Sequence, residues 1–273
     1  MEDRYEEGFV KRVMSVATSD SGAGAGVQAD LKAFLRCGVY GTTAIVATTA
    51  QNTVGVTDIF PLPPEVAVEQ MEAVAEDIGA DAVKTGMLFN AGIISAVAGA
   101  VRRLGLPNLV VDPVMVAESG ATLLEPAAVE TYKDELFPLA RVVTPNVNEA
   151  FAILGEPVDE ARIGDCAAAL YELGPEAVLV TGGHTSTGAD LLYDGGGLER
   201  IEGPVHSSRN THGAGCTHSS ALASFLALGF DLAGAALRAR AVASEAVEYG
   251  LGEIGAGAGP VHALGDVLER GGR

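Results

Sequence analysis

The chain has 273 residues, 48% of them hydrophobic, which is enough for one large α/β domain or two small ones. Its net charge of −19 argues against a nucleic-acid-binding protein, because such proteins need a basic surface. The same charge repels a polyanionic nucleotide at long range, so any phosphate site must be local. No apolar run reaches transmembrane length, and residues 1–12 do not resemble a secretory signal. We therefore expect a soluble cytoplasmic protein.

The three cysteines are far apart and odd in number: Cys37, Cys166 and Cys216. The sequence has no Cys-x-x-Cys pair, and its five histidines lack the spacing of metal ligands. Neither a disulfide framework nor a structural zinc site is therefore expected.

In chain order, predicted strands alternate with predicted helices after a polar lead-in at residues 1–12. Apolar or β-branched runs predict strands at residues 13–18, 40–49, 82–85, 109–112, 142–144 and 177–181. Predicted helices begin with one from Val27 that ends at Cys37-Gly38, followed by residues 63–78, 91–104, 126–136, 148–154, 162–173, 219–228 and 232–251. Residues 191–193 and 198–202 flank a Gly-rich turn that predicts a β-hairpin. Residues 51–60 predict an exposed excursion or small flap.

No linker, repeat or low-complexity segment interrupts this series, so we predict a single domain at residues 13–273. Repeated βα units with nearly continuous apolar strands predict a mainly parallel sheet that is covered by helices on both faces. Ligands of such sheets bind at the carboxyl ends of the strands. The candidate site residues all lie at such positions.

The stretch from Asn210 to Thr217 is a small-residue loop that leads into an apolar helix. Unpaired N–H groups and the positive end of the helix dipole make such a place a seat for an anion. Cys216 lies at the first turn, where the same field favours thiolate and predicts a lowered pKa. The alternatives are that the loop only turns the chain and that Cys216 is a small buried hydrophobe.

Two further candidates follow the first two strands. Asp30 lies one turn into the helix after the Gly-rich run 20–26, where it is able to accept hydrogen bonds from an amine or hydroxyl. The alternative for that run is a structural turn with helix-capping carboxylates. Gln51 offers a donor and an acceptor side by side, which suits the edge of an aminopyrimidine. The alternative is an ordinary polar residue at a strand end.

Three later strand ends also carry candidate side chains. Met87 offers a flat wall for an aromatic ring or is core filler. Asp112 either steers a hydrated divalent cation or caps a loop. Asn146 and Glu149 lie three residues apart at a helix start, where their oxygens suit a water-rich Mg²⁺ shell. The same spacing is equally typical of a capping box.

Together these residues resemble the hydroxymethylpyrimidine/phosphomethylpyrimidine kinases of thiamine biosynthesis, within the ribokinase-like superfamily. The resemblance covers nearly the whole chain after the lead-in. Its motifs are residues 20–32 (DSGAGAGVQADLK), 50–53 (AQNT), 84–88 (KTGML), 111–115 (VDPVM), 144–146 (TPN), 182–184 (GGH), 211–217 (THGAGCT) and 259–262 (GPVH). As an ordered set these motifs are highly specific.

The resemblance implies a three-layer α/β/α sandwich, a homodimer, and ATP- and Mg²⁺-dependent phosphorylation of 4-amino-5-hydroxymethyl-2-methylpyrimidine and of its monophosphate. It implies that the pyrimidine is held by Asp30, Gln51, Met87, Ala25 and Val114. It implies that Mg²⁺ is ordered by Asp112 and Glu149, and that the nucleotide and its phosphates contact Asn146, Glu149, Thr181, Gly183 and Thr211. The implied catalytic group comprises Cys216, as the base, and the phosphoryl-binding backbone of Gly213, Ala214 and Gly215.

Two residues depart from the family pattern. Thr18 replaces a usual glycine, and its side chain would crowd the pyrimidine floor. Thr181 replaces a common lysine, so one cation near the nucleotide phosphates would be missing. The rival interpretations are a pyridoxal kinase, which shares the fold, and a catalytically idle pyrimidine-binding protein. The pair Asp30 and Gln51 favours the aminopyrimidine.

Overall fold

The structure is a computed structural model that describes residues 10–115, 126–183, 185 and 188–265. Within these residues one sheet contains nine strands: β1 (Arg12–Asp20), β2 (Tyr40–Asn52), β3 (Gly55–Pro61), β4 (Ala82–Thr85), β5 (Leu109–Val111), β6 (Val142–Val143), β7 (Val178–Val180), β8 (Asp190–Tyr193) and β9 (Leu198–Ile201). Their spatial order is β3-β2-β1-β4-β5-β6-β7-β8-β9. The predicted strands are thereby confirmed.

Strands β2, β1, β4, β5, β6 and β7 pair in parallel and form the centre of the sheet. The predicted hairpin is confirmed as β8 and β9, which continue the sheet in antiparallel pairing. The predicted excursion at residues 51–60 is mostly the antiparallel edge strand β3, and Phe60 on it is exposed. The parallel centre places the carboxyl ends of six strands at one edge of the sheet.

The helices are α1 (Gly26–Arg36), α2 (Pro64–Asp77), α3 (Ala91–Leu104), α4 (Pro126–Thr131), α5 (Val147–Leu154), α6 (Ile163–Tyr171), α7 (Ala214–Ala227) and α8 (Leu232–Glu248). The helix predicted at residues 126–136 changes type within its length. After α4 the chain is π-helical at Tyr132–Leu136 and then forms a 3₁₀ turn at Phe137–Leu139. The helix predicted at residues 162–173 is preceded by a 3₁₀ turn at Glu160–Arg162.

The core has two parts, one on each face of the sheet. Neighbouring residues of a strand point to opposite faces, so Val13 joins one hydrophobic cluster and Met14 the other. On β5, Val110 and Val111 divide in the same way. Helices α2, α3, α5 and α6 cover the face that contains Met14, and α1, α7 and α8 cover the other. The predicted three-layer α/β/α sandwich is confirmed.

Small side chains line the helix α7 where it is packed between α8, α1 and the sheet. Ser220, Ala221, Ala223 and Ser224 are all completely buried. The hydroxyl of Ser224 donates to the carbonyl of Ser220 at 2.8 Å, which satisfies it inside the core. Because these side chains are short, α7 lies close to the strands, and its first turn reaches their carboxyl ends.

No helix in the part of the chain described here combines the length and the apolar character needed to cross a membrane. The division into a lead-in at residues 1–12 and a domain at residues 13–273 stays a prediction, since residues 1–9 lie outside the described ranges. Strand β1 already begins at Arg12, where the side chain pairs with Asp81 at 3.0 Å.

Candidate active site

A cavity of about 260 Å³ lies at the carboxyl ends of the parallel strands. It brings together residues from distant parts of the sequence, as expected for this edge of a parallel sheet. Every predicted site residue except Asp30 lines it: Ala25, Gln51, Met87, Asp112, Val114, Asn146, Glu149, Thr181, Gly183, Thr211, Gly213, Ala214, Gly215 and Cys216. His184 of the Gly-Gly-His motif lies outside the described residues.

The loop that precedes α7 has the geometry of an anion seat. Gly213 has a φ of +87° and forms the N-terminal cap without a side chain. Within the described residues, the N–H groups of Gly213, Gly215 and Cys216 have no hydrogen-bond acceptor, whereas Ala214 donates to the carbonyl of Thr211 at 2.9 Å. Three unpaired donors thus stand at the positive end of the helix dipole and at the wall of the cavity.

Cys216 lies at the cavity wall, and the residue as a whole is partly exposed. Its pKa is raised to about 12, first by burial, and further by the negative charges of Asp30 and Asp112. The charge of Lys84 and a hydrogen bond from the Gly26 N–H oppose that rise without cancelling it. The expectation of a lowered pKa is therefore wrong, because loss of hydration outweighs the helix terminus here.

Asp30 does not reach the cavity. It is fully buried, and its oxygens accept hydrogen bonds from Ser15 Oγ at 2.5 Å, Ser220 Oγ at 2.8 Å and Lys84 Nζ at 2.8 Å. These protein groups already supply the hydroxyl and amine donors that we expected a ligand to bring. The prediction that Asp30 holds the substrate is corrected accordingly.

Asp20 is the carboxylate of the Gly-rich run that does line the cavity. It accepts hydrogen bonds from the N–H groups of Gly22 at 2.7 Å, Gly24 at 3.0 Å and Ala25 at 2.8 Å, and its Oδ2 lies 3.2 Å from His212 Nε2. Burial raises its pKa, but the hydrogen bonds from His212 and the backbone outweigh burial and leave the pKa lowered. The run is therefore a structural turn organised by a carboxylate, as the alternative interpretation held.

Gln51 and Met87 also line the cavity. The Oε1 atom of Gln51 accepts a hydrogen bond from Thr49 Oγ1 at 3.1 Å, and its Nε2 donates to no acceptor in the described ranges. The hydroxyl of Thr18 donates to the carbonyl of Met87 at 3.1 Å, and both side chains border the cavity. Thr18, which replaces the usual glycine, thus places a side chain against the cavity, and its hydroxyl is hydrogen-bonded within the protein.

Asn146 and Glu149 form the capping box of α5. Asn146 Oδ1 accepts from the Glu149 N–H at 2.9 Å, and Glu149 Oε2 accepts from the Asn146 N–H at 3.0 Å. Glu149 is nevertheless buried beside Asp112. Burial first, and the Asp112 charge second, raise its pKa to about 8. The capping box is confirmed.

Two adjacent buried carboxylates destabilise each other, and a divalent cation would relieve that repulsion. Burial also raises the pKa of Asp112, although Ser219 Oγ donates to its Oδ2 at 2.8 Å. The described residues contain no group of three or more metal-ligating side chains. A pair of carboxylates still fits Mg²⁺, which keeps several of its water ligands in proteins.

Sequence reasoning missed a second buried group on the cavity wall. Asp190 of β8 accepts from the Gly182 N–H at 2.8 Å, and Arg240 Nη1 of α8 lies 3.7 Å away. His218 Nε2 of α7 lies 3.1 Å from Asp190 Oδ2. Burial raises the Asp190 pKa, but His218 and Arg240 leave it lowered overall. Only the position of His218 beside Cys216 offered a signal in the sequence.

Comparisons with known proteins agree with this geometry. A family model described as phosphomethylpyrimidine kinase matches residues 20–262. The hydroxymethylpyrimidine/phosphomethylpyrimidine kinase of Rhizobium meliloti is 47% identical over 254 residues, which cover 91% of this chain and 95% of that protein. The thiamine biosynthesis bifunctional protein ThiED of Geobacter sulfurreducens is 45% identical over 264 residues. That match covers 94% of this chain but 54% of the relative, so the chain spans about half of that relative's length.

Solved structures show the same fold with two different named activities. A phosphomethylpyrimidine kinase from Clostridium difficile has a TM-score of 0.77 and 37% identity, covering 87% of this chain and 99% of that one. The Bacillus subtilis pyridoxal kinase in its ADP complex has a TM-score of 0.87 and 32% identity, covering 96% and 99%. Overall shape therefore does not separate the two activities, whereas the family model and the sequence identities do. The chain belongs to the phosphomethylpyrimidine kinase family.

Proposed function

We propose that the chain transfers the terminal phosphoryl group of ATP to 4-amino-5-hydroxymethyl-2-methylpyrimidine and then to the monophosphate. The observation that carries the proposal is the loop at Gly213, Gly215 and Cys216, whose N–H groups have no acceptor in the part of the chain that the structure describes. It opens on the same cavity as Gln51, so an anion seat and an amide that suits an aminopyrimidine face one space.

The pyrimidine half of the cavity is formed by residues of β1, β2, β4 and β5 or of the segments that follow these strands. Gln51 offers the edge of the ring a carbonyl oxygen and an amide N–H₂ that has no acceptor among the residues described. Met87, Ala25 and Val114 supply apolar surface for its faces. The small residues of the run 20–26 allow a flat ring to lie close to the backbone.

The phosphoryl half depends on position and charge, because phosphoryl transfer has a loose transition state with little covalent work for the protein. The loop N–H groups would hold the transferring group in line with the alcohol. As the new O–P bond forms and the bond to ADP breaks, the alcohol proton passes to the Cys216 thiolate. With its raised pKa, Cys216 is a strong base when ionised, although little of it is ionised at neutral pH.

The nucleotide side of the cavity is formed by residues that follow β6 and β7 and precede α7. We assign phosphate contacts to Asn146, Thr181, Gly183 and Thr211, all of which line the cavity. Asp112 and Glu149 would hold Mg²⁺, which supplies charge neutralisation between the phosphates. Lys84 and Arg240 also line the cavity, so the Thr181 departure does not leave this region without cations.

Pyridoxal phosphorylation is the second candidate, because a pyridoxal kinase has the TM-score of 0.87 noted above. The two candidates differ in the ring that Gln51 faces: an aminopyrimidine presents a donor and an acceptor side by side. We expect preference for the aminopyrimidine alcohol. An idle pyrimidine-binding protein would need neither the carboxylate pair nor the anion loop.

The test is an ATP assay on the purified chain with each alcohol as substrate, in which the monophosphate and diphosphate products are separated. Faster turnover of hydroxymethylpyrimidine than of pyridoxal, with formation of diphosphate, is expected. A strong preference for pyridoxal would replace the proposed substrate, and binding without turnover would favour the idle protein. The homodimer and the cytoplasmic location stay predictions, and gel filtration with light scattering tests the first.

A further inference from the structure

A buried charge cluster lies beside the helix that the anion loop precedes. It consists of Asp30, Lys84 and Asp112. Lys84 Nζ lies 2.8 Å from Asp30 Oδ1 and 3.9 Å from Asp112 Oδ2, and the lysine and Asp30 have no solvent-exposed surface. Lys84 nevertheless borders the cavity, and an added β-carbon at Gly86 would lie 2.9 Å from its Nζ. The ammonium is thus held at the floor of the site.

The cluster is fastened to the helix that carries Cys216. Ser220 Oγ donates to Asp30 at 2.8 Å, and Ser219 Oγ donates to Asp112 at 2.8 Å. Cys216 precedes these serines by three and four residues, so its side chain lies on the same helix face, one turn nearer the loop. The two carboxylates that flank Lys84 therefore lie directly behind the thiol.

The charges that face Cys216 come from three packed elements: Asp30 on α1, Lys84 on β4 and Asp112 after β5. Lys84 is the cation among them, and both carboxylates oppose a negative charge on sulfur. A thiolate that forms in such a buried place needs an opposite charge nearby.

We infer that Lys84 is a positioning residue that acts through Cys216, as the counter-ion of the Cys216 thiolate, while Asp30 opposes that thiolate. The catalytic meaning of this inference rests on the proposed base role of Cys216. The effect of Lys84 on the ionisation of the Cys216 thiol does not depend on that role. Substitutions of the cluster should therefore change thiol ionisation in opposite directions according to the sign of the charge removed.

The test is the rate of alkylation by iodoacetamide at pH values between about 7 and 10, where the thiolate is the reacting species. The modified cysteines are resolved by peptide mass spectrometry of the ligand-free protein. Lys84→Met should slow alkylation of Cys216 by about tenfold or more at each pH, and Asp30→Asn should speed it by a similar factor. Lys84→Arg, which keeps the charge, should stay within about threefold of the wild-type rate.

Two controls separate this effect from a general change in structure. Alkylation of Cys37 and Cys166 should be unchanged, since neither lines the cavity. Lys11→Met removes a lysine that pairs with Asp81 at the opposite end of β1, and it should leave the Cys216 rate unchanged. A merely structural role of Lys84 predicts the reverse result, because loosening the site would expose the thiol and speed alkylation.

If Lys84→Met does not fold, the substitution is made in an Asp30→Asn background. There the loss of the lysine leaves no unpaired charge at position 30. Slower alkylation than in Asp30→Asn alone is then the expected result. An unchanged or faster rate in either background overturns the inference and leaves the kinase proposal standing. If the wild-type protein has no kinase activity, the kinase proposal is wrong, but the expected alkylation pattern does not change.

Discussion

A β-carbon added to Gly213 would lie 1.8 Å from the carbonyl oxygen of Gly24, far inside van der Waals contact. The contact joins the loop after β1 to the loop before α7, and both loops border the cavity. Gly213 also has a φ of +87°, a conformation that side chains disfavour. The backbones of the two loops can therefore pack against each other only because residue 213 has no side chain.

We expect Gly213→Ala to lower the free energy of unfolding by about 1–3 kcal/mol or more, because backbone strain and the clash with Gly24 add together. The measurement is thermal unfolding of the variant and the wild type. Gly215→Ala is the matched control, since nothing lies within 4 Å of a β-carbon there. Equal stability of Gly213→Ala and Gly215→Ala would show that the loops move apart freely.

Cys216→Ala should lower turnover by about 10²–10⁴-fold, the usual contribution of a positioned general base. Binding of the pyrimidine, measured by calorimetry, should persist because its proposed contacts are elsewhere. Cys37→Ala serves as the control cysteine, since Cys37 does not border the cavity. Near-normal turnover of Cys216→Ala would assign catalysis to the anion loop alone.

Glu149→Gln should stabilise the ligand-free protein at alkaline pH. In the folded state the Glu149 pKa is about 8, above its ordinary value of 4.5, so ionisation is disfavoured there. The folded state therefore loses stability as the pH rises from about 4.5 towards 8, by a few kcal/mol at most. Glutamine removes that loss and keeps the capping hydrogen bond to the Asn146 N–H.

Thermal unfolding at about pH 5 and pH 8.5 checks this expectation. The variant should match the wild type at the lower pH and exceed it at the higher one. Added Mg²⁺ should restore part of the difference by stabilising the wild type more than Glu149→Gln. A variant that is no more stable at pH 8.5 would show that Glu149 is not strained by its charge.

Gln51→Leu should raise the KM for hydroxymethylpyrimidine by roughly five- to thirtyfold, because about 1–2 kcal/mol of hydrogen bonding is removed. The KM for ATP is the internal control and should not change. Initial-rate kinetics with each substrate varied in turn provide both values. Equal increases in the two constants would indicate a general disturbance of the cavity rather than recognition of the ring.

Most elements of the fold were predictable because their hydrophobic patterns are local. Residues 82–85 and 91–104 form β4 and α3 as predicted. The orientation of α1 was harder to predict, since its apolar Leu31 and Leu35 are exposed while Asp30 is buried. A signal for this existed: Asp30 follows Val27 by three residues and precedes Phe34 by four, so all three share one helix face.

The site was predictable where a motif follows a strand and unpredictable where three-dimensional packing decides. The anion loop and the capping pair were visible as short spacings. The group of Asp190, His218 and Arg240 was not, because its members come from three distant elements. The pKa of Cys216 also depends on charged residues of α1, of β4 and of the segment after β5. These residues are far from the cysteine in the sequence, so the pattern around it could not reveal them.

The row of alanines and serines on α7 has a consequence for engineering this enzyme. Because Ala221 and Ser224 are completely buried, we expect a larger residue at either position to push the helix axis away from the strands. The sulfur of Cys216 lies on the first turn of that helix and would shift with it. The turnover rate therefore depends on side-chain volume one to two turns further along α7 than Cys216. Conservative substitutions in this part of the core would change the turnover rate first.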